Sequence, residues 1–190
     1  MAESSLVSLS INDFLDCLAS DAPTPGGGAV AALTGALAAA LGRMACALTV
    51  GKTKFAEVEP QVDQIASRLN RATLMLKRLM DEDAAAYAEL SAAFKIDRSD
   101  AAGKEKIVQA AGLAAAVPLE TVAVSRQVLS DVRRLEPIGN PNLRSDVEAA
   151  SHLARAAMQA AAANVRVNLP LLADEQAQRV GKELDRLLAG

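Results

Sequence analysis

The stretch that decides the fold is APTPGGGAVAALTGALAAALGRMACALTV, residues 22–50. Two prolines and three glycines open it, and a long run dominated by alanine follows. Alanine has the highest helix propensity of all residues, whereas strands favour β-branched and aromatic side chains. The run therefore predicts a long helix from just after Gly28 to about Val50. Its small side chains also predict that neighbouring helix axes approach closely.

The loop before this helix, Ala22–Gly28, has two interpretations. Unpaired N–H donors and the helix dipole point the same way at a helix N-terminus, so bare glycine N–H groups there form a ready anion site. Alternatively, the glycines only allow the next helix to pack closely. The pattern is neither GxGxxG nor a Walker motif, and no strand precedes it, so nucleotide-binding fingerprints do not apply.

The composition of the whole 190-residue chain extends the helical prediction. Hydrophobic residues make up 51% and aromatic residues only 2%, and alanine supplies the difference. Loop-forming residues divide the chain into five to six predicted helices, several of them long. The predicted helical runs cover about residues 10–19, 28–50, 60–96, 101–135 and 145–169, and a short run follows Pro170. Pro118 is expected to kink the fourth run. We therefore expect an all-α bundle, a single domain over residues 1–190, packed closely through Ala/Gly faces.

The net charge and the two cysteines limit the kinds of partner and the cellular location that we expect for this protein. The net charge is −3 without a basic stripe, which argues against nucleic-acid binding. Cys17 and Cys46 are isolated, as expected of reduced thiols in a cytoplasmic protein. The first residues lack the positive region of a secretory signal. The uncharged stretch 26–41 ends near Arg43, short of the roughly 20 apolar residues of a membrane span, so no membrane partner is expected.

One carboxylate falls on the buried face of the helix that starts near Pro60. The apolar stripe of that helix recurs at spacings of three, four and seven: Val62, Ile65, Leu69, Leu76, Met80, Tyr87, Leu90 and Phe94. Asp83 lies on this stripe, while Asp81 and Glu82 rotate off it towards solvent. A buried carboxylate is costly unless it is paired, hydrogen-bonded or protonated, and burial moves its pKa towards the working range of an acid or base. The alternative is a structural Asp bonded to an Arg or a backbone group.

Other candidate groups have simpler explanations beside the functional ones. His152 is the sole histidine, which excludes a zinc site made of histidines, and no metal site is expected. Ser145 and Glu148 spell a capping box at a helix start. Asn164 and Asn168, one turn apart, could bond a ligand or cap a neighbouring helix. Lys52 lies in a turn, where a solvated lysine is the ordinary expectation.

Five segments together resemble the cyclodeaminase/cyclohydrolase family of folate one-carbon enzymes. They occur in order over most of the chain, from about Leu9 to Leu169: APTPGGG at 22–28, LTVGKTKF at 48–55, DEDA at 81–84 with Tyr87, Ser145–Asp146, and NVRVN at 164–168. Each segment is weak evidence by itself. The order and spacing of all five make the resemblance fairly specific.

The resemblance implies an all-α fold, a homodimer or an assembly of dimers, and a tetrahydrofolate substrate with no further cofactor. The family's catalytic aspartate lies in the Asp-x-Asp-Ala segment, and Asp83 matches it better than Asp81 because it faces inward. The substrate-binding residues implied are Gly26, Gly27, Gly28, Lys52, Ser145, Asp146 and Asn164. Departures such as Phe55, where the family usually has Tyr, put single hydrogen bonds in doubt and leave the fold expectation unchanged.

The expected activity is hydrolysis of 5,10-methenyltetrahydrofolate to 10-formyltetrahydrofolate. It ranks first because no formiminotransferase domain is attached to deliver a formimino substrate. The alternatives are a formiminotetrahydrofolate cyclodeaminase that releases ammonia, and a helical folate-binding or dimerisation module without turnover.

A stripe of small residues indicates where two copies of the chain could meet. It consists of Gly28, Ala32, Gly35, Ala39, Gly42 and Cys46 at three- and four-residue spacing. Small side chains let helix axes approach to the lower end of about 8–10 Å. The stripe is therefore expected to join the homodimer, unless it belongs to the core of one chain.

Overall fold

The computed structural model describes residues 5–96 and 101–189. These residues form six α-helices and no strand: α1 Ile11–Leu18, α2 Gly27–Ala47, α3 Glu59–Ala93, α4 Ala101–Leu135, α5 Arg144–Asn168 and α6 Asp174–Leu188. Single 3₁₀ turns accompany them at Leu6–Ser8, Thr53–Phe55, Pro141–Leu143 and Leu169–Leu171. The predicted all-α class is confirmed. The gap between the predicted helical runs 60–96 and 101–135 falls on residues 97–100, which lie outside the described residues.

The centre of the bundle is α2, which packs against α3, α4 and α5. Three of its glycines, Gly28, Gly35 and Gly42, are spaced by seven residues. In the same order they face three α3 residues that are also spaced by seven: Asp83, Leu76 and Leu69. A methyl group on Gly42 would lie 2.9 Å from the Leu69 side chain. Because these three α2 positions have no side chains, α2 and α3 can pack closely in this antiparallel register.

The small-residue stripe of α2 lies inside the chain. Ala32, Ala39 and Cys46 are fully buried, and the glycines between them face α3 and α4. The prediction that this stripe joins two copies is therefore wrong, since three helices of the same chain already cover it. The stated alternative, an intrachain core, describes the structure.

The start of α5 also differs from the prediction. Its first residue is Arg144 and its N-cap residue is Leu143, with no side-chain capping bond, so the proposed Ser145–Glu148 capping box does not form. The preceding 3₁₀ turn is capped by the Asn140 side chain, which accepts a hydrogen bond from the Asn142 N–H at 3.2 Å. The Asn140 N–H donates to Thr49 Oγ1 at 3.0 Å. The α4–α5 connection is thus fastened to the end of α2.

A buried ion pair joins α3 to α4. Asp131 is 1% exposed, and the Arg68 guanidinium donates to its carboxylate at 2.7 and 2.8 Å. The Gln127 side chain adds a hydrogen bond at 3.1 Å. Burial raises the pKa of the nearby Cys46 thiol to about 11, and the negative charges of Asp131 and Asp63 add to that shift.

Two helices have the length and composition of membrane spans, over Gly27–Ala47 and Ala102–Leu135. Of the apolar window in α2, 56% is buried inside the bundle. The burial of α2 among three helices accounts for its apolar composition, as in the core helix of a globular protein.

Pro118 lies within α4, which continues from Ala101 to Leu135.

Candidate active site

Asp83 lies where α3 crosses the N-terminus of α2. It follows Leu69 and Leu76 in the seven-residue register, so its side chain is directed at α2 as theirs are. Its carboxylate occupies the space over Gly28, where a Cβ atom would overlap Oδ1. The backbone N–H of Ala29, in the first turn of α2, donates a hydrogen bond to it. Glycine at position 28 is therefore what makes room for the carboxylate.

Two opposing effects determine the acidity of Asp83. Burial raises the pKa of this carboxyl above its ordinary value of 3.8, because the charged form loses solvation. The Ala29 N–H lowers the pKa by stabilising the anion, and the positive end of the α2 dipole acts in the same direction. The effect of burial is the larger. Asp83 accepts a hydrogen bond from the backbone, as expected of an aspartate with a purely structural role. Its raised pKa is nevertheless a property of an acid–base catalyst.

The two neighbouring acids have other partners. Asp81 accepts hydrogen bonds from Ser5 Oγ at 2.6 Å and from the Leu6 N–H at 2.7 Å. Glu82 forms an ion pair with Arg78 at 2.9 Å. Asp81 is therefore not simply turned towards solvent, as the sequence predicted, because it fastens the first turn of the described chain to α3.

Asp83 borders a cavity of about 410 Å³. The wall is mostly apolar and also contains polar groups from the glycine loop and from α5; its residues are Pro23, Thr24, Gly26, Gly27, Gly28, Asp83, Tyr87, Leu90, Phe94, Ala114, Asn164, Val167, Asn168 and Leu171. Tyr87 and Phe94, expected on the buried stripe, are partly exposed because they face this opening. The cavity thus combines a mostly apolar wall with the Asp83 carboxyl.

Two asparagines of α5 support the cavity. Asn164 lies against the glycine loop, with Nδ2 3.3 Å from where a Cβ of Gly27 would be. Its Nδ2 donates to the Ala160 carbonyl at 2.9 Å. Asn168 Nδ2 donates to the Ala114 carbonyl at 2.8 Å, which ties α5 to α4. Asn168 therefore has the helix-linking role that the sequence allowed, and Asn164 lies where a ligand could meet it.

The structure brings five of the predicted site residues together and separates three from them. Gly26, Gly27, Gly28, Asp83 and Asn164 line one cavity. The other three, Lys52, Ser145 and Asp146, do not line it, because they follow α2 or begin α5 at the opposite end of the bundle. The 21 residues of α2 span roughly 31 Å, too far for a lysine side chain to bridge. Within one chain, Lys52 therefore cannot reach a ligand held at the glycine loop, and its part in substrate binding stays a prediction.

That opposite end has a larger cavity of about 760 Å³. Lys54, Asn140 and Arg144 line it, together with the acids Glu57 and Glu136. The sequence did not indicate Thr24, Leu90 or Leu171 as parts of the Asp83 cavity. Thr24 belongs to the segment 22–28 and Leu90 to the apolar stripe of α3, but neither pattern indicates that these residues share a cavity, because only the helix crossings bring them together. Among the described residues, no group of three or more His, Cys, Asp or Glu side chains is placed to hold a metal ion.

Comparison with known proteins gives a consistent result. A model of the formiminotransferase-cyclodeaminase family matches residues 10–186. The chain is 39% identical over 184 residues to methenyltetrahydrofolate cyclohydrolase of Methylorubrum extorquens, covering 94% of this chain and 88% of that protein. It is 30% identical to formimidoyltransferase-cyclodeaminase of Rattus norvegicus, covering 91% of this chain and 33% of that protein. The chain thus spans about a third of the length of this two-activity relative.

A solved structure shares the whole fold. The crystal structure of formiminotetrahydrofolate cyclodeaminase from Thermotoga maritima matches with a TM-score of 0.89 at 32% identity, covering 96% of this chain and 89% of that one. The resemblance found in the five sequence segments is confirmed. With a family model over most of its length and a relative matched nearly end to end, the chain belongs to the formiminotransferase-cyclodeaminase family.

Proposed function

We propose that the protein is an enzyme that hydrolyses 5,10-methenyltetrahydrofolate to 10-formyltetrahydrofolate. The observation that carries the proposal is the Asp83 carboxyl, which borders a cavity, accepts from the N-terminus of α2 and has a pKa raised by burial. Among the relatives described above, the cyclohydrolase has the highest identity, 39%. This ranks hydrolysis ahead of deamination.

The chemistry requires one group that takes up and returns a proton. The methenyl carbon belongs to a cationic amidinium and is electrophilic. The Asp83 carboxylate attracts this cation and accepts the proton of a water that attacks the carbon. The bond from that carbon to nitrogen 5 then breaks as the same carboxyl returns the proton to this nitrogen, and the remaining hydroxyl proton is released to solvent as the formyl C=O forms. General acid–base help of this kind contributes on the order of 10²–10⁴ in rate.

The rest of the cavity positions the substrate in this proposal. Leu90 and Phe94 supply apolar surface to the folate ring and reduce the water around Asp83. Gly26, Gly27 and Gly28 offer backbone N–H groups at the start of α2, and the Asn164 amide lies beside them. Ser145, Asp146 and Lys52 lie at the other end of the bundle, so in this proposal they could contact the same substrate only from a second copy of the chain.

Formiminotetrahydrofolate cyclodeaminase activity is the second candidate. It is favoured by the Thermotoga maritima relative, whose chain is covered to 89%. Asp83 would shuttle a proton while nitrogen 10 attacks the formimino carbon and ammonia leaves. A helical module that binds folate without turnover is the third candidate, in which the same cavity would bind but not convert its ligand.

The test compares Asp83→Asn with the neighbouring Glu82→Gln. Asn has nearly the same volume as Asp and still hydrogen-bonds, but it cannot ionise. We expect kcat for methenyltetrahydrofolate hydrolysis to fall by about 10²–10⁴ in Asp83→Asn and to be unchanged in Glu82→Gln. Decay of methenyltetrahydrofolate absorbance against a buffer blank measures hydrolysis, and ammonia release from 5-formiminotetrahydrofolate measures deamination.

The pH profile adds an independent check. Because Asp83 must be ionised to accept a proton, activity should fall as the pH drops through its raised pKa. The acid limb of kcat/KM should therefore lie above the ordinary carboxyl value of 3.8. A folded Asp83→Asn protein with wild-type turnover would contradict the proposal. So would turnover by Glu82→Gln as poor as that of Asp83→Asn.

We further propose that the protein works as a cytoplasmic homodimer, without a membrane or nucleic-acid partner and without a cofactor beyond its tetrahydrofolate substrate. The net charge of −3 and the unpaired Cys17 and Cys46 support the location and the absence of nucleic acid. Large apolar side chains exposed on α1 and α2 support the dimer. Light scattering at micromolar concentration tests it, and a monomer there would contradict it.

A further inference from the structure

The side-chain amide of Asn168 is held in one orientation, and only its nitrogen is used within the chain. Nδ2 donates to the Ala114 carbonyl at 2.8 Å and to the Asn164 carbonyl at 3.0 Å. Because carbonyl oxygens only accept, both N–H groups of the amide must face them. Within residues 5–96 and 101–189, no group donates to Asn168 Oδ1. This oxygen is therefore an unused acceptor with a fixed direction.

The unused oxygen is accessible at the Asp83 cavity. Among the described residues, Ser125 Oγ alone is a buried side-chain oxygen or nitrogen without a partner, so Asn168 Oδ1 is not sealed in the core. Asn168 lines the cavity that Asp83 borders. A ligand that fills this cavity displaces the water from Oδ1, and an acceptor left unpaired in this way is costly. A ligand that fits must therefore bring an N–H or O–H group to Asn168.

The two ends of the cavity have opposite hydrogen-bonding character. The glycine loop at the start of α2 offers N–H donors and the positive end of a helix dipole. The helix α5 ends at Asn168, where the negative end of its dipole adds to the amide oxygen. Asn164 lies against Gly27, and Asn168 follows it by one helical turn, or about 6 Å. A bound ligand therefore directs its N–H groups towards Asn168.

A reduced pterin ring matches this arrangement. Its pyrimidine ring carries an edge of N–H donors, the 2-amino group and nitrogen 3. Nitrogen 5 and the methenyl carbon belong to the other side of the fused rings, across a width comparable with one helical turn. With its amino edge at Asn168, the ring brings the methenyl carbon back towards Asp83 and Gly28. The apolar side chains of Leu90 and Ala114 line the cavity between these polar groups.

We propose, on the basis of the proposed function, that Asn168 orients the substrate by accepting a hydrogen bond at Oδ1 from the 2-amino group of the pterin ring. Asn168 touches the substrate but transfers no proton, so Asp83 remains the acid–base group. The same contact makes the site selective. An analogue without the amino group leaves the Asn168 oxygen unpaired in a filled cavity and is rejected for that reason.

A substrate analogue tests this contact without any change to the protein. In the analogue, a methyl group replaces the 2-amino group of 5,10-methenyltetrahydrofolate. Wild-type kcat/KM should be about 10–100-fold lower for the analogue, the usual cost of one unpaired acceptor. Asn168→Leu has no acceptor to leave unpaired, so its kcat/KM should be low for both compounds and differ by less than about 3-fold between them. Equal wild-type activity on both compounds would overturn the proposal.

Two further variants exclude a purely structural effect of Asn168. Three helical threonines donate to the carbonyl four residues earlier: Thr34, Thr73 and Thr121. In Asn168→Thr the new hydroxyl should likewise donate to Asn164, yet the amide oxygen is gone, so the preference for the 2-amino compound should disappear. Asn70→Leu, exposed on α3, is the matched control and should keep wild-type activity and preference. Folded Asn168 variants that keep the full wild-type preference would overturn the proposal.

Binding of tetrahydrofolate, which has no methenyl carbon, separates this contact from catalysis. By titration calorimetry, the wild-type protein should bind tetrahydrofolate about 10–100-fold more tightly than its 2-methyl counterpart. Asn168→Leu should bind the two equally. Such a preference without turnover of methenyltetrahydrofolate would contradict the proposed function and support the Asn168 contact. Turnover without the preference would overturn the Asn168 contact alone.

Discussion

Adding one methyl group at Gly28 should abolish most activity while the fold survives. An alanine Cβ at this position would overlap Asp83 Oδ1 and lie 2.6 Å from Oδ2. Even Oδ2 must retreat by about 0.8 Å to reach ordinary contact at 3.4 Å. The adjoining cavity gives the side chain room to swing away, so the helices need not separate.

The expected magnitudes follow from that displacement. Misplacing a catalytic group by about 1 Å costs on the order of 10² in rate, so we expect kcat/KM to fall by about that factor. Loss of the Ala29 hydrogen bond costs about 1 kcal/mol of stability. Replacing a helical glycine by alanine increases the free energy of unfolding by about 0.5–1 kcal/mol. The free energy of unfolding should therefore change by less than about 1 kcal/mol.

Gly181→Ala is the matched control. Gly181 lies in α6, and a Cβ there meets nothing within 4 Å. This variant should gain about 0.5–1 kcal/mol in urea unfolding and keep wild-type turnover. Both variants are measured by urea denaturation and by decay of methenyltetrahydrofolate absorbance. A Gly28→Ala protein as active as Gly181→Ala would refute the inference that Asp83 must occupy the space over Gly28.

Two further predictions concern the core. At pH 8 a thiol reagent should modify the exposed Cys17 in the native protein and reach Cys46 only after denaturation. The reason is that burial raises the pKa of the Cys46 thiol to about 11. Rapid labelling of both thiols in the native state would contradict this prediction. Arg68→Ala should lower the free energy of unfolding by about 3 kcal/mol because it leaves the Asp131 charge buried without its cation. The exposed Arg71→Ala is its control, and equal urea midpoints for the two variants would count against this account.

The helices and the inward direction of Asp83 could be predicted because both depend on local sequence. Alanine content and proline positions indicate where helices run: the predicted span from Pro60 to about Ile96 is observed as Glu59–Ala93. Within a helix, residue spacing alone decides which side chains share a face. Asp83 could thus be distinguished from Asp81 without knowledge of the neighbouring helices.

What could not be predicted depends on how the helices are arranged in space. Lys52 follows Gly28 by 24 residues, and the 21-residue helix α2 keeps the two at opposite ends of the bundle. Ser145 has the residue type of an N-cap, yet the 3₁₀ turn before it shifts the start of α5 to Arg144. A stripe of small residues has the same pattern whether it meets a helix of its own chain or of another copy. Sequence spacing identifies such surfaces without identifying their partners.

The seven-residue alignment of α2 with α3 limits how this site can change during evolution. One inserted or deleted residue between Leu76 and Asp83 would rotate the carboxylate by about 100° away from Gly28. The catalytic position therefore cannot drift along the helix, because the alignment that places it also packs the core. Divergence in substrate preference must arise mainly at the cavity rim, in the loop at Pro23–Gly26 and around Tyr87 and Phe94. Homologues with different reactions are then expected to keep the core alignment and to differ at the rim.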